Sequence, residues 1–136
     1  MARPLVFFYG TLWTGECTRR ARAVMADGLE PVGPASLRGR LYDLGAYPGL
    51  LRSPRAADRV RGYLYRLLDT GRSLRWLDWY EDYLRGAPAR SVFLRRRAVA
   101  RRQVDGRTVP CWVYFYNRPV LAAWRIIDGD YSRLPQ

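Results

Sequence analysis

Short segments rich in aromatic and β-branched residues recur along the chain, and each is bounded by glycine, proline or another turn residue. This pattern is typical of β-strands. It predicts strands at 5–9, 60–68, about 91–103 and 108–116, and a strand, a glycine-rich bend and a strand within 37–51. The sequence VDGR at 104–107 predicts a hairpin turn between the last two long strands. A chain with many short strands must provide partners for the backbone N–H and C=O groups at the strand edges.

Two segments, 14–26 and roughly 71–84, have convincing helical periodicity. In the first, apolar side chains recur at helical spacing, and Gly28 would end the helix. The sequence PVGPAS at 31–36 predicts a turn-rich connector, because proline and glycine interrupt regular elements. The tail after 120 predicts a short helical turn or an extended piece.

Many short strands with two helices predict an α+β domain. We expect the strands to curl into a barrel, because closure leaves no strand edge uncovered. The chain has 136 residues, of which 49% are hydrophobic. That length and composition predict a single domain, 1–136, with a core of its own.

The composition excludes several kinds of catalytic site. The chain contains no histidine, so Ser-His-Asp and Cys-His catalysis and histidine metal sites are excluded. It also contains no lysine, which excludes a Schiff-base lysine and the lysine of a phosphate-binding P-loop. Any chemistry therefore depends on carboxylates, hydroxyls, two thiols, arginines or the backbone.

The formal net charge is +12, and all 24 basic residues are arginine. One interpretation is a surface that binds nucleic-acid phosphates. The alternative is a coding bias that favours arginine. The arginines are spread along the chain, and even the densest patch, LRRRAVARR at 94–102, has interleaved apolar residues as a solvated strand would. The sequence therefore argues against nucleic acid as the main partner, and a role in attracting acidic small molecules stays open.

No apolar run approaches the roughly 18 residues that a membrane span requires. The beginning of the sequence has no signal-peptide architecture, so we expect a cytoplasmic protein without a membrane partner. Cys17 and Cys111 are the two cysteines. They are too few for a structural zinc site without histidine, and in the cytoplasm we expect two free thiols and no bound metal.

An acid falls on the apolar face of the second predicted helix. Leu74, Leu77, Glu81 and Leu84 form one stripe on a helix that turns about 100° per residue. A buried glutamate resists ionisation, and a carboxyl whose pKa is raised toward neutrality can accept and return protons. The alternative is structural, with Glu81 paired to one of the many arginines.

Two aspartates near Glu81 are predicted to be more exposed to solvent than Glu81 itself. Asp78 and Asp82 lie toward one side of the stripe, where we expect them to be solvated. Glu81 is therefore the strongest acid–base candidate in a chain that lacks histidine.

The first strand ends in FFYGTL, a tight turn whose backbone N–H groups suit an anion or a developing oxyanion. It is followed in order by GRLYDLGAYPGL, GYLYRL and LDWYEDY. This arrangement resembles the γ-glutamyl cyclotransferase-like family, which includes γ-glutamylamine cyclotransferases and the avirulence-induced-gene proteins of plants. The resemblance covers about 5–116 and implies a small mixed β-barrel with flanking helices.

The resemblance also implies roles for particular residues. The family's Tyr-Gly-Ser/Thr-Leu loop, which cradles the glutamyl or 5-oxoproline moiety, matches Tyr9, Gly10, Thr11 and Leu12. The family's acid–base glutamate, which follows Leu-Asp-x-x, matches Glu81.

Other positions around these motifs are less constrained. Tyr47 and Tyr116 are candidate walls of the substrate pocket or ordinary packing residues of the barrel. The chain departs from the family by having Asp82 where glycine commonly follows the glutamate. It also has Phe93-Leu94-Arg95 where a Tyr-x-Arg often occurs.

The implied activity is the cyclisation of a γ-glutamyl amide to 5-oxoproline with release of an amine. It is a lyase or acyltransferase reaction that needs no cofactor, because the nucleophile is the α-amino group of the substrate. The identity of the leaving amine and the oligomeric state are left open. Two alternatives are a non-catalytic module that binds an acidic metabolite at 9–12, and an arginine-rich nucleic-acid-binding protein.

Overall fold

The computed structural model describes residues 3–14 and 19–133 of the chain. The elements in these residues follow the order of the predicted strands, with helices between the first and second strands and after the fifth. In chain order they are β1 Leu5–Phe8, α1 Thr11–Thr14, α2 Arg19–Gly28, β2 Leu29–Arg38, β3 Arg40–Asp43, β4 Pro48–Leu51, β5 Arg59–Leu67, α3 Thr70–Tyr80, a 3₁₀ turn Pro88–Arg90, β6 Phe93–Arg102, β7 Thr108–Tyr116, a 3₁₀ turn Ala122–Trp124, β8 Arg125–Ile126 and a 3₁₀ turn Tyr131–Arg133.

The long strands form a closed barrel in the order β1-β5-β2-β6-β7. Its neighbouring strands are antiparallel except where β1 and β7 meet in parallel, with Val6 opposite Trp112. A second, antiparallel sheet has the order β4-β3-β8. The mixed β-barrel with flanking helices is therefore confirmed, and closure satisfies the strand edges as the sequence predicts.

Two groups of buried side chains hold these layers together. Alternate residues of β1 belong to different groups, because successive side chains of a strand point to opposite faces. Phe7 packs with the other barrel strands and the small sheet, whereas Val6 and Phe8 pack toward the helices. Leu77 of α3 is fully buried in the second group. The last turn of α3 is therefore fixed against the barrel.

Both predicted helices differ from the observed ones. Helix α1 is a single turn that already contains Thr14, and α2 begins at Arg19 and ends at Gly28 as expected. Residues 15–18, including Cys17, lie outside the described residues. Helix α3 ends at Tyr80, four residues before the predicted end.

The segment 31–36, predicted as a connector, is instead part of β2. A bulge between Pro31 and Gly33 shifts the register against β5 and lets the strand continue past its prolines. A proline lacks an N–H group but keeps its carbonyl, and Pro34 O accepts the N–H of Gln103 at 3.0 Å. The prediction was wrong because the closed barrel needs β2 as the bridge between β5 and β6.

No helix within 3–14 and 19–133 combines the length and apolar character that crossing a membrane requires. Cys111 is a buried free thiol, and burial raises its pKa to about 12. This thiol is therefore protonated and unreactive at neutral pH.

Candidate functional site

A cavity of about 230 Å³ opens where the end of β1, the end of α3 and the start of β6 meet. Its wall is mostly aromatic and apolar, with two acidic residues from the end of α3. The lining residues are Phe7, Phe8, Tyr9, Gly10, Thr11, Leu12, Tyr47, Pro48, Tyr80, Glu81, Asp82, Phe93 and Tyr114. The structure therefore brings the Tyr9–Leu12 loop and Glu81, which are distant in sequence, to one hollow.

The loop after β1 approaches the small sheet too closely for any side chain at Gly10. A Cβ atom at this position would lie 2.8 Å from Cγ of Pro48. Helix α1 begins directly after this glycine, and the first N–H groups of a helical turn have no partner within the helix. Thr11 and Leu12 therefore have N–H groups without partners inside the helical turn, and both residues line the cavity.

Glu81 follows the last residue of α3 and caps the helix. Its N–H donates to Leu77 O at 2.9 Å, so its backbone stays attached to the last turn. The residue is half-buried because it lines the cavity.

Asp82 ends α3 through a left-handed backbone conformation, with φ of 53°. Its N–H donates to Trp79 O at 3.2 Å, and the N–H of Tyr83 donates to Asp78 O at 2.8 Å. These two bonds define a Schellman motif, in which the left-handed position is usually glycine. The motif turns the chain away from the helix axis immediately after Glu81, which fixes where the Glu81 side chain leaves the helix.

The Glu81 carboxyl is held in an environment that favours its protonated form. Burial and, to a smaller extent, the negative charge of Asp82 raise its pKa to about 8. Among the described residues the carboxyl of Glu81 has no hydrogen-bond or ion-pair partner. The arginine pairing that the sequence left open for Glu81 is thus not observed.

Asp78 pairs with an arginine instead. Its Oδ1 accepts Arg95 Nε at 2.8 Å, and its Oδ2 accepts Arg95 Nη2 at 3.3 Å. The hydroxyl of Tyr114 also donates to Asp78 Oδ1, at 2.7 Å. The prediction that Asp78 is solvated was wrong, because it is 6% exposed. This network attaches the last turn of α3 to β6 and β7.

Two further hydrogen bonds join the loop after β1 to its surroundings. The hydroxyl of Tyr9 donates to Tyr114 O at 2.6 Å, and Thr11 Oγ1 lies 3.3 Å from the hydroxyl oxygen of Tyr80. Burial, followed by the charge of Glu81, raises the pKa of Tyr9 well above its usual value. Tyr9 is therefore a neutral hydroxyl whose proton is engaged by the backbone.

The two tyrosines proposed as pocket walls occupy different positions. Tyr47 lines the cavity, with its ring 5.8 Å from that of Phe93. Tyr116 is not among the lining residues and packs behind Phe93, with a ring separation of 5.3 Å. Phe93, Pro48 and Tyr80 also line the cavity, although the sequence did not predict them as site residues. Two signals were available: Phe93 occupies the Tyr-x-Arg position, and Tyr80 directly precedes Glu81.

The arrangement suits a small ligand with an oxygen-bearing group and an exchangeable proton. Backbone N–H groups on one wall can bind an oxyanion, and the carboxyl on another can hold or release a proton near neutral pH. The described part of the chain contains no cluster of three or more cysteines or acids that could hold a metal ion.

The model of the family described as gamma-glutamyl cyclotransferase, AIG2-like, matches residues 6–133. The match includes every lining residue of the cavity. No match was found among curated proteins.

Solved structures share the fold at low sequence identity. An AIG2-like protein from Mus musculus is 23% identical, with a TM-score of 0.68 over 91% of this chain and 83% of that chain. YkqA from Bacillus subtilis is 18% identical, with a TM-score of 0.65; the match covers 96% of this chain and only 40% of YkqA. A structure named gamma-glutamyl cyclotransferase is 16% identical, with a TM-score of 0.56 over 83% of this chain and 66% of that chain. At these identities the similarity establishes the fold.

Proposed function

The chain belongs to the gamma-glutamyl cyclotransferase, AIG2-like family, and from this premise we propose that it cyclises a γ-glutamyl amide to 5-oxoproline and releases a free amine. The observation that carries the proposal is the unpaired Glu81 carboxyl in the wall of a cavity, with a pKa raised to about 8. A carboxyl with this pKa can exist in both protonation states at neutral pH, which a group that first accepts and then donates a proton requires.

The reaction begins with the substrate's α-ammonium group, which must lose a proton before it can attack. Glu81 accepts this proton as general base. The α-nitrogen then forms a bond to the γ-carbonyl carbon, giving a tetrahedral intermediate with a negatively charged oxygen. Glu81 returns the proton to the departing nitrogen as the carbon–nitrogen bond to the leaving amine breaks, and the new ring nitrogen loses its second proton to the solvent. The nucleophile and the electrophile belong to one molecule, so holding that molecule folded lowers the barrier.

The loop of Tyr9, Gly10, Thr11 and Leu12 supplies the binding groups in this proposal. Its backbone N–H groups hold the glutamyl carboxylate or stabilise the tetrahedral oxyanion. The close contact of Gly10 with Pro48 and the Thr11–Tyr80 contact support this role, because they fix the loop relative to the residue that precedes Glu81. Tyr47 serves as a wall for the glutamyl carbons.

The size of the cavity supports a substrate of which only a small group, the glutamyl group, is bound inside the cavity. A volume of about 230 Å³ suits a glutamyl group and leaves the amine portion to extend through the opening. The exposed side chain of Asp82 lies at this wall. In this proposal the cavity holds the glutamyl end of the substrate, and the amine is selected outside it.

The experiment is a panel of γ-glutamyl amines incubated with the protein and assayed for 5-oxoproline. The panel contains γ-glutamyl amino acids, glutathione and γ-glutamyl-ε-lysine, and the matched controls are the corresponding α-glutamyl compounds. We expect 5-oxoproline from at least one γ-linked compound and from none of the α-linked ones, whose γ-carboxylate has no leaving amine. Saturable binding of γ-glutamyl compounds without any release of 5-oxoproline would contradict the proposed enzyme activity and indicate a metabolite-binding module.

A further inference from the structure

A group of arginines covers the face of the barrel that points away from the core at β2, β5 and β6. Ser36 of β2 lies between Arg61 of β5 and Arg101 of β6, and Arg38 lies opposite Arg59. Side chains at directly opposite positions share a face of the sheet. Arg38, Arg59, Arg61 and Arg101 therefore surround Ser36, and we call these four residues the arginine cluster.

None of the four guanidinium groups pairs with an acid in the described part of the chain. The ion pairs there involve other arginines. One carboxylate, that of Asp130, lines a hollow beside the cluster, and its Oδ1 accepts the N–H and the hydroxyl of Ser132. Like charges placed opposite each other on neighbouring strands are destabilising. The cluster therefore concentrates positive charge, and Asp130 is the one carboxylate among the residues that line the hollow beside it.

Arg59 distinguishes the cluster from an ordinary solvated basic surface. Its Nη2 donates to Ser36 O at 3.0 Å and to Ser36 Oγ at 2.9 Å, and its buried Nε has no partner in the described residues. Burial, followed by the charges of Arg101 and Arg38, lowers the pKa of this guanidinium. A freely solvated arginine would avoid such an environment, whereas Arg59 is held in it by two hydrogen bonds.

A hollow of about 560 Å³ lies over this part of the barrel. Arg59, Arg61 and Arg101 line it together with Trp13. Trp13 belongs to α1. The residue before it, Leu12, lines the cavity that contains Glu81. The hollow and that cavity share no lining residue.

We propose that this hollow binds a small ligand that carries phosphate groups, with Arg59, Arg61 and Arg101 contacting the phosphate oxygens and Trp13 contacting the uncharged part. Guanidinium groups bind phosphate through paired hydrogen bonds, and Arg59 is already oriented by Ser36. Several arginines around one hollow favour a ligand with more than one negative charge. The bound anion supplies negative charge beyond that of Asp130 to a hollow lined by several arginines.

The test is calorimetric titration of inorganic pyrophosphate into the wild-type protein at physiological salt. The test variant is Arg61→Gln/Arg101→Gln, because both residues are exposed. The matched control is Arg20→Gln/Arg22→Gln, two exposed arginines of α2 whose loss changes the net charge equally. We expect one saturable site in the wild type, affinity reduced by about tenfold or more in the test variant, and unchanged affinity in the control. Arg59→Gln, checked for folding by circular dichroism, is expected to reduce the affinity as well.

Equal losses of affinity in the test and control variants would mean that pyrophosphate responds to net charge alone, and the proposal would be overturned. Absence of saturable binding to the wild type would overturn it too. A parallel titration with single-stranded oligonucleotide separates small ligands from nucleic acid. Binding of the oligonucleotide without binding of pyrophosphate would assign the surface to nucleic acid and contradict the proposal.

Discussion

The guanidinium of Arg95 pairs with Asp78, at 2.8 Å from Nε to Oδ1, and leaves Glu81 without a cationic partner among the described residues. The two acids are three positions apart at the end of the same helix. An arginine beside Glu81 would stabilise its carboxylate and lower its pKa. Because Arg95 pairs with Asp78 and not with Glu81, no cation offsets the effect of burial, and the pKa of Glu81 stays high.

Removal of the Arg95 side-chain charge should destabilise the fold strongly. Both side chains of the Arg95–Asp78 pair are 9% exposed. We expect Arg95→Met to lower the free energy of unfolding by about 3–5 kcal/mol, because it leaves a buried carboxylate without its cation. The measurement is urea denaturation.

The matched control is Arg66→Met. Arg66 pairs with Glu30 at 2.7 Å, but both side chains are well exposed. Its loss should cost about 1 kcal/mol or less. Equal effects of the two substitutions would contradict the structural importance assigned to the Arg95–Asp78 pair.

Glu81 should make the stability of the protein depend on pH. Its pKa is about 8 in the folded protein and near 4.5 when solvated, so between these values the folded state binds more protons than the unfolded state. The contribution of Glu81 to the free energy of unfolding is thus largest below about pH 4.5 and falls as the pH rises to about 8.

Glu81→Gln removes this titration. We therefore expect the variant to gain stability relative to the wild type as the pH rises from about 5 to about 8. Urea denaturation of both proteins across this range checks the prediction. A stability difference that does not change with pH would show that Glu81 has an ordinary pKa.

Asp82 affects Glu81 through charge and α3 through backbone conformation, and two substitutions separate these effects. Asp82→Asn removes the charge and keeps a residue that tolerates positive φ. Asp82→Gly removes the charge and also relieves the left-handed strain, which should stabilise the fold by about 1 kcal/mol. Thermal unfolding measures the stability of each variant.

Both Asp82 substitutions should lower the pKa of Glu81, because the negative charge of Asp82 contributes to raising it. We expect the rise of kcat/KM with pH, which reports the free enzyme's base, to move to lower pH in both variants. If the pH profile stayed unchanged in both while stability rose in Asp82→Gly, the role of Asp82 would be confined to ending the helix.

Tyr9→Phe should affect stability more than turnover. The variant loses the buried hydrogen bond to Tyr114 O, which is 2.6 Å long in the wild type. Because the carbonyl loses this hydrogen-bond donor, we expect the free energy of unfolding to fall by about 1–3 kcal/mol. The proposed cradle uses the backbone of the loop, so kcat should change little. A loss of turnover as large as that expected for Glu81→Gln would give the Tyr9 hydroxyl a direct part in the reaction.

The sequence was sufficient for most of the barrel and insufficient where tertiary context overrides a local rule. Strands β5 and β7 were predicted to within a residue because aromatic and β-branched residues alternate there. Strand β2 was missed because its prolines and glycines are typical of a connector. The observed bulge at Pro31 and Gly33 cannot be read from the residues alone.

In the site, too, some features were predicted from the sequence and others depend on tertiary context. The helical stripe correctly indicated that Leu77 is buried, yet Leu84 is 48% exposed because α3 has already ended. That end was missed because its left-handed residue is Asp82, whereas glycine is the usual signal. The Asp78–Arg95 pair joins residues on different elements in a chain with 24 arginines, so no local spacing could identify it.

The most direct test of the proposed reaction compares Glu81→Gln with Glu30→Gln on the same γ-glutamyl substrate. Glu30 is an exposed glutamate of β2, so its substitution controls for the loss of one carboxylate. We expect Glu81→Gln to lower the rate of 5-oxoproline release by about a hundredfold or more, since it removes the general acid–base, and Glu30→Gln to leave the rate unchanged. A folded Glu81→Gln protein that releases 5-oxoproline at the wild-type rate would contradict the assignment of Glu81 as the acid–base group.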